Sequence, residues 1–115
     1  MNIVKLNQGE TYQPEPGWKR VSLAGSSNVS IEYFEKPPGH TSPLHSHANE
    51  QVCIVIKGRM KVVGGEGEED ELGPGDSVWF APNEPHRVEN TRTELAVGLD
   101  IFSPGRDFDF WTKRT

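Results

Sequence analysis

Apolar residues come in short runs along this chain, each bounded by glycine, proline, asparagine or acidic residues. The strongest run, "QVCIVIKG" (51–58), is apolar over five consecutive positions and ends on Gly58, which predicts a buried strand. "RMKVVGG" (59–65) follows as its predicted hairpin partner. "WKRVSLA" (18–24), "NVSIEYFEK" (28–36), "SVWFAP" (77–82), "HRVEN" (86–90) and "LAVGLDIFS" (95–103) predict further strands. "PPGHTSP" (37–43) cannot be helical. "EGEEDELGPGD" (66–76) reads as an acidic turn whose charges hold a loop tip in water. About seven short strands with regular turn signals, and no capped helical repeat, predict an all-β fold, a sandwich or a single β-barrel. The barrel is expected over residues 18–108, with an N-terminal arm or edge strand at 1–17 and a C-terminal tail at 109–115.

Residues 52–56 are apolar on both faces, yet only one face of a barrel strand meets the interior. The other needs cover, from the N-terminal arm or from a second subunit. A homodimer is therefore expected.

Composition narrows the function. The 115 residues fit one domain, large enough for one core. A net charge of −5 with no basic stripe argues against nucleic acid. An anionic ligand would need local positive charge, from a metal or a placed arginine. The lone cysteine, Cys53, sits inside the strongest strand and cannot form an internal disulfide, which favours a buried, inert thiol and a reducing compartment. With no long apolar stretch and no signal-peptide pattern, the expected location is cytoplasmic, away from the membrane.

Candidate chemistry begins in "PLHSHANEQ" (43–51). Strand side chains alternate faces, so His45, His47, Gln51, Cys53 and Val55 share a face if the strand is continuous. Three nitrogen and oxygen donors on one face can converge on one ion, although two loop histidines alone are a weak signal. His86 enters a strand directly after a turn, and antiparallel pairing can bring it to His45. Glu50 competes with Gln51 as a ligand but has the opposite parity. His40, in the proline-rich loop, reads as a surface residue.

These residues resemble the two motifs of the cupin superfamily. Gly39, His45, His47, Gln51 and Gly58 are spaced like the first motif, with Gln51 where an acidic ligand is usual. Gly75, His86 and Asn90 follow the second, with Ala81 and Asn83 at its usual proline and glycine positions. The resemblance implies a double-stranded β-helix, or jelly roll. It also implies a divalent transition metal (nickel, iron, manganese or zinc) on His45, His47, Gln51 and His86. A neutral amide in place of a carboxylate leaves the ion its full charge, which favours an anionic ligand.

The stretch "LDIFSPGRDF" (99–108) resembles the end of the KdgF-type cupins of pectin breakdown, in Asp100, Phe102, Ser103, Pro104 and Arg106. That family converts 4,5-unsaturated monouronates to a linear keto form. By that resemblance Asp100 would move a proton, Arg106 would clamp the substrate carboxylate and Phe102 would pack against the sugar. Pattern alone gives a competing picture. Leu95, Val97, Leu99 and Ile101 form the more apolar face, which would turn Asp100 to solvent. Small Ala96 and Gly98 on the Asp100 face would instead leave ligand room beneath an inward aspartate. Arg106 has a surface alternative, pairing with Asp107 or Asp109. The functions carried forward are a sugar-acid ring-opening isomerase, a metal-dependent cupin dioxygenase and a non-catalytic small-molecule binder, with a cyclase or lyase not separated by the motifs.

Overall fold

A computed structural model describes residues 1–108; the expected tail at 109–115, with Asp109, lies outside the described residues. Nine strands form two antiparallel sheets: β1 (Thr11–Glu15), β2 (Trp18–Gly25), β3 (Ser30–Lys36), β4 (Glu50–Lys57), β5 (Met60–Gly64), β6 (Glu69–Leu72), β7 (Ser77–Phe80), β8 (His86–Glu89) and β9 (Ala96–Ser103). The larger sheet has the order β1-β2-β3-β9-β4-β7 and the smaller β6-β5-β8. Their inner faces meet in one apolar cluster, with Phe34, Cys53, Val55 and Ala96 from the larger sheet against Met60, Val62 and Leu72 from the smaller. The arrangement is a jelly roll. Among the described residues no helix is long and apolar enough to cross a membrane.

The structure corrects the hairpin, the loop reading of the acidic run and the ligand room at Gly98, and it turns Asp100 inward. β4 and β5 are not a hairpin: β4 pairs with β9 and β7, and β5 pairs with β6 and β8. Gly58 turns the chain from one sheet to the other in a left-handed conformation (φ 76), and a Cβ there would lie 2.6 Å from the Leu95 carbonyl oxygen. The acidic run is not all loop. Residues 69–72 form β6, whose carboxylates face β5 and its neighbours in ion pairs such as Lys61–Glu69 and Arg59–Glu71. In β9 the apolar face is outside: Val97, Leu99 and Ile101 are half-buried, whereas Ala96, Gly98, Asp100 and Phe102 are buried. Gly98 leaves no ligand space, because a Cβ there would sit 2.4 Å from Cζ of Phe34, whose ring fills the gap.

The N-terminal residues form a short 3-10 turn and then β1, an edge strand on β2. They approach Val21 and Ser22 and leave the outer face of β4 and β7 open, where Ile56 is 50% and Trp79 56% exposed.

Candidate metal centre

The histidines meet through backbone pairing. The segment before β4 is irregular, so strand parity does not place His45 and His47. Instead His45 pairs with His86 at the edge of the smaller sheet, with N–H···O distances of 3.0 and 2.9 Å in the two directions. The Asn83 amide donates to the His47 carbonyl at 2.7 Å. Asn83 adopts φ 63 at the position where the motif usually has glycine, a conformation asparagine tolerates better than most residues. Parity does hold for Gln51, the inward second residue of β4.

His45, His47 and His86 each offer a ligand nitrogen within 4.8 Å of the others. Each holds Nδ1 near a backbone carbonyl: Pro43 at 2.8 Å, Asn49 at 2.9 Å and Glu84 at 2.8 Å. A carbonyl only accepts, so Nδ1 carries the proton and Nε2 of the neutral ring carries the lone pair. This is the outer-shell arrangement that orients metal-binding histidines. Among the described residues His86 Nε2 is buried without a hydrogen-bond partner, and its ring stacks on Phe80 at 4.0 Å. Burial pushes the His45 imidazole down to about 4, helped by the neighbouring His86 and His47, and burial also lowers His86. Both rings are neutral, and so able to ligate, at neutral pH.

Gln51 lies beside the three histidines. Its Nε2 donates to Asp100 Oδ1 at 2.9 Å, which fixes the amide and turns Oε1 to 3.1 Å from His47 Nε2. Two lone pairs then face each other, an arrangement a shared cation resolves. Atoms each about 2.1 Å from one ion and at right angles lie about 3 Å apart, close to the separation seen here. The donors present fit a divalent transition metal.

Asp100 is inward and buried, and its other oxygen accepts from Arg20 Nη2 at 2.6 Å. Burial by itself would raise its carboxyl, but the Arg20 guanidinium and the Gln51 amide outweigh that and hold it below its ordinary value. It is therefore an anion, which suits an acceptor better than a donor. Arg20 also donates from Nε to Glu32 at 2.7 Å. Arg106 is inward too, but Nε and Nη2 engage Glu32 at 2.8 and 3.3 Å, so the carboxylate it clamps is the protein's own. Its guanidinium lies 3.6 Å over the Phe102 ring, whose other neighbours include His47. Phe102 is fully buried, which places it behind Arg106 rather than directly against a ligand. His40 is also not a surface residue: its side chain is 8% exposed and packs on Trp18.

Arg20, Glu32 and Lys36 were not expected in the site. All three share its cavity or its ion network because β2 and β3 turn polar residues inward: Glu32 lies opposite Asp100, and Arg20 opposite Phe34. The available signal was the alternation in "SIEYFEK", where Ile31 and Tyr33 mark the face away from Glu32. The cavity is about 50 Å³ and is bordered by His45, His86, Gln51, Asp100, Lys36 and Trp18 among others. That holds a few water-sized groups.

A family model described as a cupin domain matches residues 32–102. The chain belongs to the cupin family. Among solved structures, this cupin is similar to an RmlC-like cupin from Shewanella frigidimarina, with TM-score 0.83, 25% identity and 96% of both chains covered. It is also similar to KdgF from Halomonas sp., with TM-score 0.81 and 25% identity over 93% of this chain and 96% of that one. A curated relative, the (R)-mandelonitrile lyase of Granulicella tundricola, is 34% identical over 65 residues, 56% of this chain and 46% of the lyase. The chain spans about half the length of the curated relatives it matches.

Proposed function

We propose that this cupin opens the ring of a 4,5-unsaturated uronate, or a related sugar acid, to a linear keto form at a divalent metal ion. The observation that carries the reading is the Gln51–Asp100 hydrogen bond. It joins the neutral member of the metal-binding set to the aspartate of the C-terminal stretch. The likeness to KdgF from Halomonas sp. supports the same reading.

The reaction moves one proton and oxidises nothing. The hemiacetal hydroxyl at C1 loses a proton as the C1–O5 bond breaks, and C4 of the resulting enol gains one. An ion held by three imidazoles and an amide would keep its full 2+ charge and supply a Lewis acid for an anionic oxygen. Asp100 keeps the Gln51 oxygen aimed at the histidines, and Arg20 keeps Asp100 ionised. Arg20 and Arg106 are balanced by Glu32 and Asp100, so Lys36 adds the surplus positive charge beside the cavity. That surplus favours an anion.

The test follows the enol-ether absorbance of an unsaturated uronate together with dissolved oxygen. Absorbance should fall without oxygen uptake, stop on chelation and return with added metal. A metal-loaded protein that leaves the absorbance unchanged sinks the proposal, and oxygen consumption would point to a dioxygenase. The identity with the mandelonitrile lyase favours a second reading, cleavage of a hydroxynitrile. Aldehyde release from mandelonitrile tests that one.

A further inference from the structure

Lys36 is 5% exposed and borders the same cavity as His45, His86 and Asp100. A buried lysine kept only for structure is ordinarily paired with a carboxylate. The hydrogen-bond partner of Lys36 is instead the imidazole of His40, with Nζ 2.7 Å from Nδ1. His40 Nε2 lies 3.1 Å from Glu15 Oε2. The three groups run from inside to outside: Lys36 at 5% exposure, the His40 side chain at 8% and the Glu15 side chain at 59%. Trp18 walls the line, its ring 4.5 Å from that of His40 and 5.8 Å from Lys36 Nζ.

The line has a direction. Glu15 accepts, so His40 Nε2 carries a hydrogen, and Nδ1 of the neutral ring accepts from Lys36. We infer that Lys36 is an acid–base group of the cavity and that it exchanges its proton with solvent through His40 and Glu15. A neutral Nζ takes a proton from a ligand hydroxyl or carbon. The ammonium then passes one proton to His40 Nδ1 as Nε2–H passes to Glu15, which releases it to water. Run in reverse, the line recharges Lys36 as a donor. No oxidant or co-reactant is needed. Delivery of a proton to C4 of an enol is the use it would have in uronate ring opening, and that use alone rests on the proposed function.

The charged and titratable groups facing Lys36 are Arg20 from β2, Asp100 from β9, Cys53 from β4, Glu15 from β1 and His40 from the loop. Burial and the nearby Arg20 push the ammonium down to about 8, against smaller opposing effects of Asp100, Cys53 and Glu15. A group poised near neutrality suits proton transfer in either direction.

The test reads the amine directly. In protein carrying ¹⁵N-labelled lysine side chains, one Nζ resonance, absent in Lys36→Met, should titrate at least a unit below the rest. Its hydrogen exchange with water at neutral pH should slow by roughly tenfold in Glu15→Gln, a change at an exposed side chain. It should slow likewise in His40→Ala, and added imidazole should restore it there. A Lys36 midpoint among the other lysines, or exchange unaffected by both substitutions, overturns the inference. Turnover is a separate arm. If the unsaturated uronate is a substrate, Lys36→Met should lower kcat by roughly a hundredfold or more. Wild type that fails to turn it over refutes the proposed function and leaves the amine measurements to decide the proton line.

Discussion

Replacing Gln51 by glutamate restores the acidic ligand usual in the motif, and in this chain it should be costly without metal. The Gln51 amide nitrogen lies 2.9 Å from Asp100 Oδ1. Gln51→Glu sets two carboxylate oxygens against each other there. At an effective dielectric of about 20, two full charges at that distance repel by about 6 kcal/mol. Protonating a carboxyl of ordinary pKa about 4.3 at pH 7 costs about 4 kcal/mol. Protonation is the cheaper route, so the metal-free variant should take up a proton and keep a hydrogen bond between the two groups. The folded pair then has a pKa raised above the unfolded value. Its stability is complete below about pH 4.3 and falls by about 1.4 kcal/mol per pH unit as pH rises toward the raised value. Urea midpoints of chelated wild type and variant at pH 5, 6 and 7 measure this, with constant m-values as the check. A divalent ion competes with that proton, so adding metal should recover stability at pH 7 more in the variant than in wild type. Equal midpoints for the two metal-free proteins across pH 5–7 would refute both the contact and its dryness.

Other substitutions probe the surrounding structure. Arg20→Met should cost roughly 3–5 kcal/mol, because Asp100 and Glu32 lose a shared buried cation. Adding Asp100→Asn should cost less in that background than in wild type, and strict additivity in chemical denaturation would count against the network. Gly98→Ala should destabilise by roughly 1–3 kcal/mol through overpacking on Phe34; an unchanged melting temperature contradicts that packing. Lys36, held at about 8, leaves the native state short of a proton relative to the unfolded chain between pH 8 and 10.5, so stability should rise there by up to about 3 kcal/mol. Tyr33, pushed up to about 12, acts in the opposite sense above pH 10. Lys36→Met should remove the rise, and an identical pH profile in that variant would rule it out. For assembly, sedimentation at micromolar concentration should give a dimer through the open face of the larger sheet, and a monomeric mass would refute it.

Strand positions were legible because this chain punctuates them with glycine and proline. Sheet membership was not. "QVCIVIKGRMKVVGG" (51–65) reads as a hairpin, since nothing local distinguishes a two-strand turn from a corner that changes sheets. The distinction lies at the start of β9, where Ala96 and the preceding Leu95 crowd Gly58 from far along the chain. The β6 strand was hidden for another reason. Its Glu69 and Glu71 pair with cations on β5 and beyond, including an Arg92–Glu71 pair, so a strand can carry a composition that normally marks a loop. His45 and His47 were found by spacing, although the mechanism assumed for them, a continuous strand, is not the one the backbone uses.

The polar site was harder to read than the metal set because it inverts the usual rule for a barrel strand. Apolar alternation normally marks the inside. In β3 and β9 it marks the outside: Ile31 faces Ile101, which faces Val52, which faces Trp79 across four strands, while Glu32, Asp100 and Cys53 line up beneath. Burying Arg20, Glu32, Asp100 and Arg106 together is tolerable because each charge meets an opposite one within hydrogen-bonding distance. No single strand reveals that balance, since its members come from β2, β3, β9 and the segment after β9. The same inversion leaves an apolar row on the outer surface that the described residues cover only in part. The charged interior and the expected dimer are thus two consequences of one alternation. A substitution such as Ile101→Lys should therefore separate them, giving a monomer that still binds metal at the histidines. Loss of metal binding in a folded monomer would show instead that the outer contact holds the inner site together.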